Sequence, residues 1–211
     1  MTLPPIYPIL DTKSLARRGI SLERAAAAVL EGGAEILQIR HKEQWTRNLF
    51  EEARRAAGLC REARALLVVD DRADIAALLG AGLHVGQDDL CPADARKIIG
   101  PDAVLGFSTH NATQLSLAAG EPATYISIGP VFATASKENP DPVLGLEQVR
   151  TCRALTTKPL VAIGGITLEN AESVFAAGAD TVAIIADLLA GPCTGESMRD
   201  RMEQWRQLAT K

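Results

Sequence analysis

Short apolar runs alternate with helix-favouring segments along the chain. Residues 6–10 are apolar and partly β-branched, whereas residues 21–30 begin with a serine, are rich in alanine and are followed by Gly32 and Gly33. A short apolar run is typical of a buried strand. A serine before an alanine-rich stretch and glycines after it are typical of the two ends of a helix. The chain therefore begins as a strand followed by a helix.

The same strand and helix unit recurs through the sequence. Apolar runs predict strands over residues 6–10, 35–39, 66–69, 83–85, 104–107, 125–128, 160–163 and 181–185. Helix-favouring segments cover residues 21–30, 49–65, 73–79, 93–99, 112–119, 146–155, 171–177 and 196–208. About eight strands that alternate with about eight helices are the pattern of a parallel sheet, because each parallel strand needs a crossover connection.

Two architectures accommodate such a sheet. A doubly wound open sheet usually has fewer strands in a chain of 211 residues, whereas eight strand and helix units close into a barrel. Short, similar sequences lie between a predicted helix and the next strand at three places, which indicates quasi-repeats. They are Gly-Gly-Ala-Glu at 32–35, Gly-Ala-Gly-Leu at 80–83 and Ala-Gly-Ala-Asp at 177–180. The sequence therefore predicts an α/β fold, a (β/α)8 TIM barrel, formed as a single compact domain by residues 1–211.

Charge and composition limit the partners of the chain. A formal net charge of -4 and a pI near 5.5 disfavour nucleic acid and anionic membranes, which bind to basic surfaces. No apolar run approaches the roughly 18 residues of a membrane span, and the N-terminus shows no export signal. The four cysteines lie far apart and form neither a zinc pattern nor a disulfide framework. We expect a cytoplasmic protein with reduced thiols, and the sequence leaves a homo-oligomer open.

One long connection interrupts the otherwise short loops. Residues 128–146 include Thr134, Ser136 and Lys137, two hydroxyls and an ammonium group that suit phosphate oxygens. A loop of this length inside a compact domain is usually functional. A solvated surface loop is the alternative interpretation.

Polar residues follow the predicted strands from the second to the eighth. In a barrel these strand ends meet at one mouth, where the chemistry of the fold takes place. Gln38, Arg40 and Lys42 alternate along one strand end, so their side chains share a face that we expect to point into the mouth. Two cations and an amide suit a polyphosphate joined to a heterocycle.

Two acidic residues and a glycine pair add to this predicted mouth. Asp71 and Asp89 follow neighbouring strands, where two carboxylates can share Mg2+ with the phosphate oxygens of a substrate. Asp71 can instead be the N-cap of the following helix. Gly164 and Gly165 follow a β-branched strand and let backbone amides approach a phosphate, although a tight turn explains them equally well.

The histidines and tryptophans carry weaker signals. His110 lies at a predicted helix start and is either an acid or base or a structural hydrogen-bonding residue, the commoner role there. His84 lies in an apolar strand and is interpreted as core. Trp45 and Trp205 have no interleaved basic residues and are interpreted as packing.

Several motifs occur in the order that characterises one enzyme family. They are Gln-x-Arg-x-Lys at 38–42, Asp-Arg at 71–72 before an alanine-rich helix, Gly-Gln-x-Asp-Leu at 86–90, Gly-x-Ser-x-His at 106–110, Gly-Pro-Val-Phe-x-Thr-x-Ser-Lys at 129–137, Ala-Ile-Gly-Gly-Ile at 162–166, and Asn170. Together they resemble the thiamine phosphate synthase family over residues 6–189. Some of them are shared with the related thiazole tautomerases.

The resemblance implies a transferase of thiamine biosynthesis with Mg2+ as its cofactor. In that reaction 4-amino-5-hydroxymethyl-2-methylpyrimidine diphosphate loses pyrophosphate, and the ring nitrogen of a thiazole phosphate captures the pyrimidine cation. The protein would stabilise the leaving charge and exclude water. By position, the resemblance places Arg40, Lys42, Lys137 and Ser108 at the pyrophosphate, Asp71 and Asp89 at the metal, Gln38 and Asp70 at the pyrimidine, and Thr134, Ser136, Gly165, Ile185 and Ala186 at the thiazole phosphate.

Three positions differ from the usual family pattern. Asp70 stands where asparagine is usual, Ala186 where serine is usual, and His41 where glutamate is frequent. A carboxylate is not equivalent to an amide toward a pyrimidine, and Ala186 lacks a hydroxyl for the phosphate. Two alternatives therefore stay open: a thiazole tautomerase with His110 as its proton shuttle, and a non-catalytic thiazole phosphate-binding relative.

Overall fold

Eight parallel strands close into a barrel in the computed structural model, which describes residues 2–134 and 141–209. Each strand pairs with its neighbours in sequence, and the pairing of the first strand with the last completes the ring. The strands are β1 Ile6–Asp11, β2 Ile36–Arg40, β3 Leu66–Asp70, β4 Gly82–Val85, β5 Leu105–Thr109, β6 Tyr125–Ile128, β7 Leu160–Ile163 and β8 Thr181–Ile184. The predicted (β/α)8 barrel is confirmed.

Helices surround this barrel. Those described are α1 Thr12–Arg17, α2 Leu22–Glu31, α3 Arg47–Ala63, α4 Ala73–Leu79, α5 Pro92–Ile99, α6 Ala112–Ala118, α7 Gly145–Ala154, α8 Ala171–Ala176 and α9 Gly195–Ala209, with a 3-10 turn at Asp187–Leu189. Each predicted helix is present. Among residues 2–134 and 141–209, no helix has the length and apolar character needed to cross a membrane.

The sequence missed α1 and the 3-10 turn. α1 buries a single apolar residue, Leu15, so it has no apolar period that could reveal it. Its start is fixed locally, because Asp11 Oδ1 accepts a hydrogen bond of 2.8 Å from the Ser14 N–H. The 3-10 turn has three residues, too few for any periodic pattern.

Local signals explain where the longer helices begin and end. Ser21 caps α2 by accepting from the Arg24 N–H, and Thr46 caps α3 by accepting from the Leu49 N–H. Gly80 ends α4 in the left-handed conformation with φ of 63°. A residue with a Cβ rarely adopts that conformation, so the glycine stops the helix before β4.

Two sets of apolar side chains pack on the two faces of the barrel wall. An outer core joins the strands to the helices and includes Leu37, and a smaller inner core fills the barrel and includes Ile36. Successive residues of a strand point to opposite faces. Gln38 and Arg40 therefore follow Ile36 toward the interior and its carboxyl-end mouth, as the alternation of the sequence predicted.

Candidate active site

A cavity of about 600 Å³ opens at the carboxyl ends of the strands. Side chains from the ends of all eight strands line it. Among the candidate residues they include Gln38, Arg40, Lys42, Asp70, Asp71, Asp89, Ser108, Thr134, Gly165, Ile185 and Ala186. Ser136 and Lys137 lie outside the described residues. The structure therefore brings together the described candidates that the sequence placed on separate loops.

Arg40 and Lys42 are held by carboxylates on one side of the cavity. Arg40 Nη1 lies 2.5 Å from Asp11 Oδ2. Lys42 Nζ lies 2.5 Å from Asp71 Oδ2 and 2.9 Å from Asp70 Oδ2. Burial disfavours the charged ammonium, but the two carboxylates outweigh it and raise the pKa of Lys42 above its usual range. Both side chains are therefore held in place by ion pairs.

Asp11 is a site residue that sequence reasoning missed. Asp11 is 5% exposed as a residue, and its carboxylate joins the cap of α1 to the guanidinium of Arg40. Burial opposes its ionisation, but the hydrogen bonds from Ser14 and the charge of Arg40 lower the pKa of Asp11 below its usual range. Its position at the carboxyl end of the first strand was the signal that could have indicated it, because the polar residues at the other strand ends lie at the same mouth of the barrel.

Asp71 and Asp89 face each other across neighbouring loops. Burial, repulsion by Asp70 and a hydrogen bond to the Asp89 carboxyl raise the pKa of Asp71 to about 6, against the opposing attraction of Lys42. Asp89 is oriented in turn by the N–H of Gly86, which donates to its Oδ2 at 2.7 Å. Asp71 does not cap α4, which begins after Arg72 without a side-chain cap. The two carboxyl groups are thus close enough to share a cation.

The carboxyl groups of Asp71 and Asp89 fit Mg2+ only if a substrate shares in its coordination. Among residues 2–134 and 141–209, no group of three or more histidine, cysteine, aspartate or glutamate side chains is arranged to hold a metal ion. Mg2+ usually takes one or two carboxylates and completes its octahedron with water and substrate phosphates. A pair of crowded carboxyl groups at the cavity edge matches that requirement.

A tight loop after β7 forms the opposite side of the cavity. Gly164 and Gly165 have φ of 102° and 64°, and a Cβ on Gly165 would lie 2.4 Å from the carbonyl oxygen of Ala133. Asn170 ties this loop together, because its Oδ1 accepts from the Thr167 N–H at 2.9 Å and its Nδ2 donates to the Gly165 carbonyl at 3.0 Å. The loop therefore needs glycine in both conformation and space.

The 3-10 turn after β8 completes that side. Ile185 and Ala186 line the cavity directly before it. Asp187 is buried and accepts hydrogen bonds from Arg201 Nη2 at 2.6 Å and from Trp205 Nε1 at 2.7 Å. Trp205 is fully buried, as predicted, and its indole N–H also ties α9 to this turn.

His84 differs from its predicted role as a core residue. It is buried, but it lines the cavity and hydrogen bonds to two polar groups, the Tyr125 hydroxyl at 2.9 Å and Ser108 Oγ at 2.8 Å. Tyr7 and Tyr125, which also line the cavity, were missed. Their apolar strands hid them, although a phenol hydroxyl inside a strand must find a buried partner and is a signal for that reason.

The Nδ1 atom of His110 forms a hydrogen bond with the backbone. Nδ1 lies 2.8 Å from the Gly129 carbonyl oxygen, which can only accept, so Nδ1 carries a proton. Asp141 Oδ2 lies 3.4 Å from the same nitrogen. The imidazole borders the cavity, and its other nitrogen is the one available to a ligand in the neutral form.

Sequence comparison with known proteins indicates one family. The family model described as thiamine monophosphate synthase matches residues 6–188. A thiamine-phosphate synthase of Koribacter versatilis is 46% identical over 200 residues, which cover 91% of this chain and 92% of the relative. One from Azorhizobium caulinodans is 40% identical over 195 residues, covering 92% and 91% respectively.

A solved structure is similar over the whole fold. Thiamine phosphate pyrophosphorylase from Pyrococcus furiosus superposes with a TM-score of 0.84 at 31% identity, covering 98% of this chain and 95% of that one. The sequence match and the structural match therefore span the same barrel. On these findings, the chain belongs to the thiamine monophosphate synthase family, a family of transferases.

Proposed function

We propose that the chain condenses 4-amino-5-hydroxymethyl-2-methylpyrimidine diphosphate with a thiazole phosphate to give thiamine phosphate and pyrophosphate. The carbon–oxygen bond to the diphosphate breaks with its electrons leaving on pyrophosphate, and the lone pair of the thiazole nitrogen forms the new carbon–nitrogen bond. The observation that carries this proposal is the meeting of Arg40, Lys42 and the Asp71 and Asp89 pair in one cavity, opposite the glycine loop.

Arg40 and Lys42 bind the diphosphate in this proposal. Their ion pairs with Asp11, Asp70 and Asp71 keep both side chains extended toward the mouth before a substrate arrives. Cations that are already oriented stabilise the charge that builds on a leaving group without reorganising during the step. Ser108 and Lys137 contribute a hydroxyl and a further ammonium group to the same oxygens.

Asp71 and Asp89 are the residues that would hold Mg2+ in the proposal. A bound ion would supply positive charge that stabilises the leaving pyrophosphate. The metal also explains why two carboxyl groups are placed against each other, because a divalent cation removes the repulsion between them.

In this proposal the remaining polar groups of the cavity bind the pyrimidine and the thiazole phosphate. Gln38 binds the pyrimidine, and Asp70 lies beside it. The thiazole phosphate is bound by backbone groups of Gly165, Ile185 and Ala186, where the loop after β7 and the turn after β8 meet, and by the hydroxyls of Thr134 and Ser136. Since Ala186 lacks a hydroxyl, the backbone carries more of this recognition.

We also infer a cytoplasmic enzyme whose partners are these two small molecules, with neither nucleic acid nor a membrane as a ligand. The four cysteines, Cys60, Cys91, Cys152 and Cys193, form no disulfide, which supports a reducing compartment.

The tautomerase alternative is not favoured. The curated relatives and the Pyrococcus structure carry the synthase or pyrophosphorylase name. A tautomerase would also leave the cluster of cations and carboxylates without a role, because it removes no diphosphate. The non-catalytic alternative is not favoured either, because the same cluster of cations and carboxylates suits the removal of a diphosphate.

The test is a condensation assay. The protein is incubated with both substrates and Mg2+, and thiamine phosphate and pyrophosphate are quantified by chromatography. We expect the two products in equal amounts. Tautomerisation of a thiazole carboxylate phosphate without condensation would support the tautomerase instead, and ligand binding without any turnover would support the non-catalytic relative.

A further inference from the structure

Among the side chains that line the cavity, five from five strands form one hydrogen-bonded chain, called the buried relay below. Gln38 Nε2 lies 3.0 Å from the Tyr7 hydroxyl, which lies 3.0 Å from the Tyr125 hydroxyl. The Tyr125 hydroxyl lies 2.9 Å from His84 Nδ1, and His84 Nε2 lies 2.8 Å from Ser108 Oγ. The relay thus joins the amide proposed to bind the pyrimidine to the hydroxyl proposed to meet the leaving group.

Starting from Gln38, one direction of the relay uses every hydrogen. Nε2 of an amide donates, so the Tyr7 oxygen accepts. Either tyrosine can donate to the other, and the Tyr7 hydrogen is used when Tyr7 donates to Tyr125. Tyr125 then donates to His84 Nδ1. The neutral imidazole then carries its proton on Nε2 and donates it to Ser108.

The direction of the relay decides what Ser108 can do. Because Ser108 Oγ accepts from His84, its own hydrogen is left to donate, either to Ser127 Oγ at 3.2 Å or to a ligand in the cavity. If the relay ran the other way, Ser108 would have to donate to His84 and would offer only lone pairs. A departing phosphate oxygen needs a donor.

Burial keeps the relay uncharged. Desolvation lowers the pKa of His84 and raises the pKa values of Tyr7 and Tyr125. Each of these three groups is therefore neutral near pH 7, and the imidazole holds a single proton whose position the neighbours set.

The backbone supplies a second, independent observation. His84 and Tyr125 stack with ring centroids 5.5 Å apart at an interplanar angle of 19°. Gly106, the glycine of the Gly-x-Ser-x-His motif, lies between them, and a Cβ there would be 2.1 Å from Cζ of Tyr125 and 2.3 Å from Nδ1 of His84. The family role of that motif accounts for Ser108 and leaves its glycine unexplained. The relay explains it, because any side chain would displace the histidine and the tyrosine.

We propose that the buried relay is a positioning device that holds His84 as its Nε2-protonated tautomer and so presents Ser108 as a hydrogen-bond donor to the leaving diphosphate. His84, Tyr125 and Tyr7 are positioning residues, since they act through Ser108. The second half of the proposal rests on the proposed function, whereas the tautomer of His84 does not.

The first test reads the tautomer directly. Two-bond 15N–1H spectra of the labelled full-length protein near pH 7 distinguish the two nitrogens of each imidazole, and the His84→Gln variant identifies the signals among the three histidines. We expect His84 to be neutral and protonated on Nε2. A proton on Nδ1, or on both nitrogens, would overturn the proposal. Tyr125→Phe removes the hydroxyl that donates to Nδ1, so we expect the Nε2-protonated tautomer to lose its preference in that variant.

The second test separates positioning from packing. His84→Gln keeps an N–H donor near the place of Nε2, and His84→Met fills the volume without a donor. We expect the methionine variant to lose on the order of tenfold or more in kcat with the KM for the thiazole phosphate within about twofold, and the glutamine variant to recover most of that loss. Equal kcat in the two variants, or an unchanged kcat in the methionine variant, would contradict the role of the donor.

The outcomes distinguish a failure of this inference from a failure of the proposed function. Absence of condensation by the wild-type protein would refute the synthase proposal and with it the role of Ser108, while the NMR result would still establish or refute the tautomer. Urea unfolding of both His84 variants checks that they are folded, and if the methionine variant is not, Tyr125→Phe provides the same kcat comparison with the wild type.

Discussion

Asp70 places a carboxylate beside the two cations of the site. Its buried carboxylate lies 2.9 Å from Lys42 Nζ and 3.7 Å from Arg40 Nε, so it occupies the two cations that are proposed to take the diphosphate. An asparagine at this position would remove one negative charge from beside both cations, while Asp11 and Asp71 would remain. Asp70 therefore acts as an internal anion that competes with the ligand.

Replacing Asp70 with asparagine tests that competition. We expect Asp70→Asn to bind inorganic pyrophosphate about threefold to tenfold more tightly, because one negative charge beside the two cations is removed while a polar side chain of the same shape remains. Inhibition of the condensation by pyrophosphate measures it. Asp74→Asn is the matched control, since Asp74 is exposed, pairs with Arg72 and does not line the cavity. Unchanged or weaker inhibition in Asp70→Asn would contradict the competition.

The raised pKa of Asp71 predicts the pH dependence of metal binding. Above about pH 6 the carboxyl is ionised and available to Mg2+, and below it a proton competes with the ion. We expect Mg2+ affinity, measured by calorimetry, to fall by up to about tenfold for each pH unit below about 6. Because Asp70 contributes to raising the pKa of Asp71, Asp70→Asn should move this fall to lower pH. An affinity that stays constant between about pH 5 and pH 7 would be inconsistent with Asp71 as a ligand.

At the residue scale, the sequence predicted side chains that follow a simple geometric rule and missed those that depend on partners. Gln38, Arg40 and Lys42 were found because alternation along one strand sets which way a side chain points. His84 was misjudged because its apolar neighbours indicate burial but say nothing of a serine on the next strand. Long-range hydrogen bonds of this kind join residues that no local pattern relates.

At the scale of the elements, the loop after β7 depends on a single side chain. Asn170 holds both the Gly165 carbonyl and the Thr167 N–H, so it sets the shape of the loop proposed to bind the thiazole phosphate. Its side chain belongs to the start of α8, whose N-terminus it joins to the glycine pair.

Removing that side chain should weaken one substrate selectively. We expect Asn170→Ala to raise the KM for the thiazole phosphate on the order of tenfold, with the KM for the pyrimidine diphosphate within about twofold, because two hydrogen bonds that fix the loop are lost. Asn111→Ala is the control, because it removes a comparable bond to the Gln114 N–H at the start of α6. Steady-state kinetics would contradict the role of Asn170 if both KM values rose equally or neither changed.

The elements that the sequence missed share a physical cause. α1 and the 3-10 turn are too short to show a periodic apolar face. The turn also depends on Asp187, which accepts hydrogen bonds from Arg201 and Trp205 of α9. The longer helices and the strands were predicted because each buries a periodic apolar face, which is a property of its own residues.

At the scale of the whole molecule, the alternation of strands and helices was enough to predict the closed barrel, and the quasi-repeats supported closure over an open sheet. What the sequence does not contain is how closely the helices approach one another around the ring. α9 passes the end of α2 at such a short distance that a Cβ on Gly32 would lie 2.6 Å from the Arg199 carbonyl oxygen.

Two glycine substitutions test this close packing. Gly32→Ala should lower the free energy of unfolding by about 1–3 kcal/mol, because a backbone carbonyl must move to accept the methyl group. Gly58→Ala, in the middle of α3 with only the end of the Arg61 side chain within 4 Å, should raise it by about 0.5–1 kcal/mol. Urea unfolding of both variants measures these changes. Equal effects would contradict the assigned contact of α2 with α9.

The central claim is that strand ends bring cations and an acidic pair together to hold a diphosphate with Mg2+. Calorimetric titration of inorganic pyrophosphate into the protein, with Mg2+ and with EDTA, tests this claim most directly. We predict that affinity falls on the order of tenfold or more in EDTA, in Arg40→Gln and in the Asp71→Asn, Asp89→Asn double variant with Mg2+ present. Pyrophosphate binding that is equally tight without the metal, or unaffected in both variants, would contradict the account.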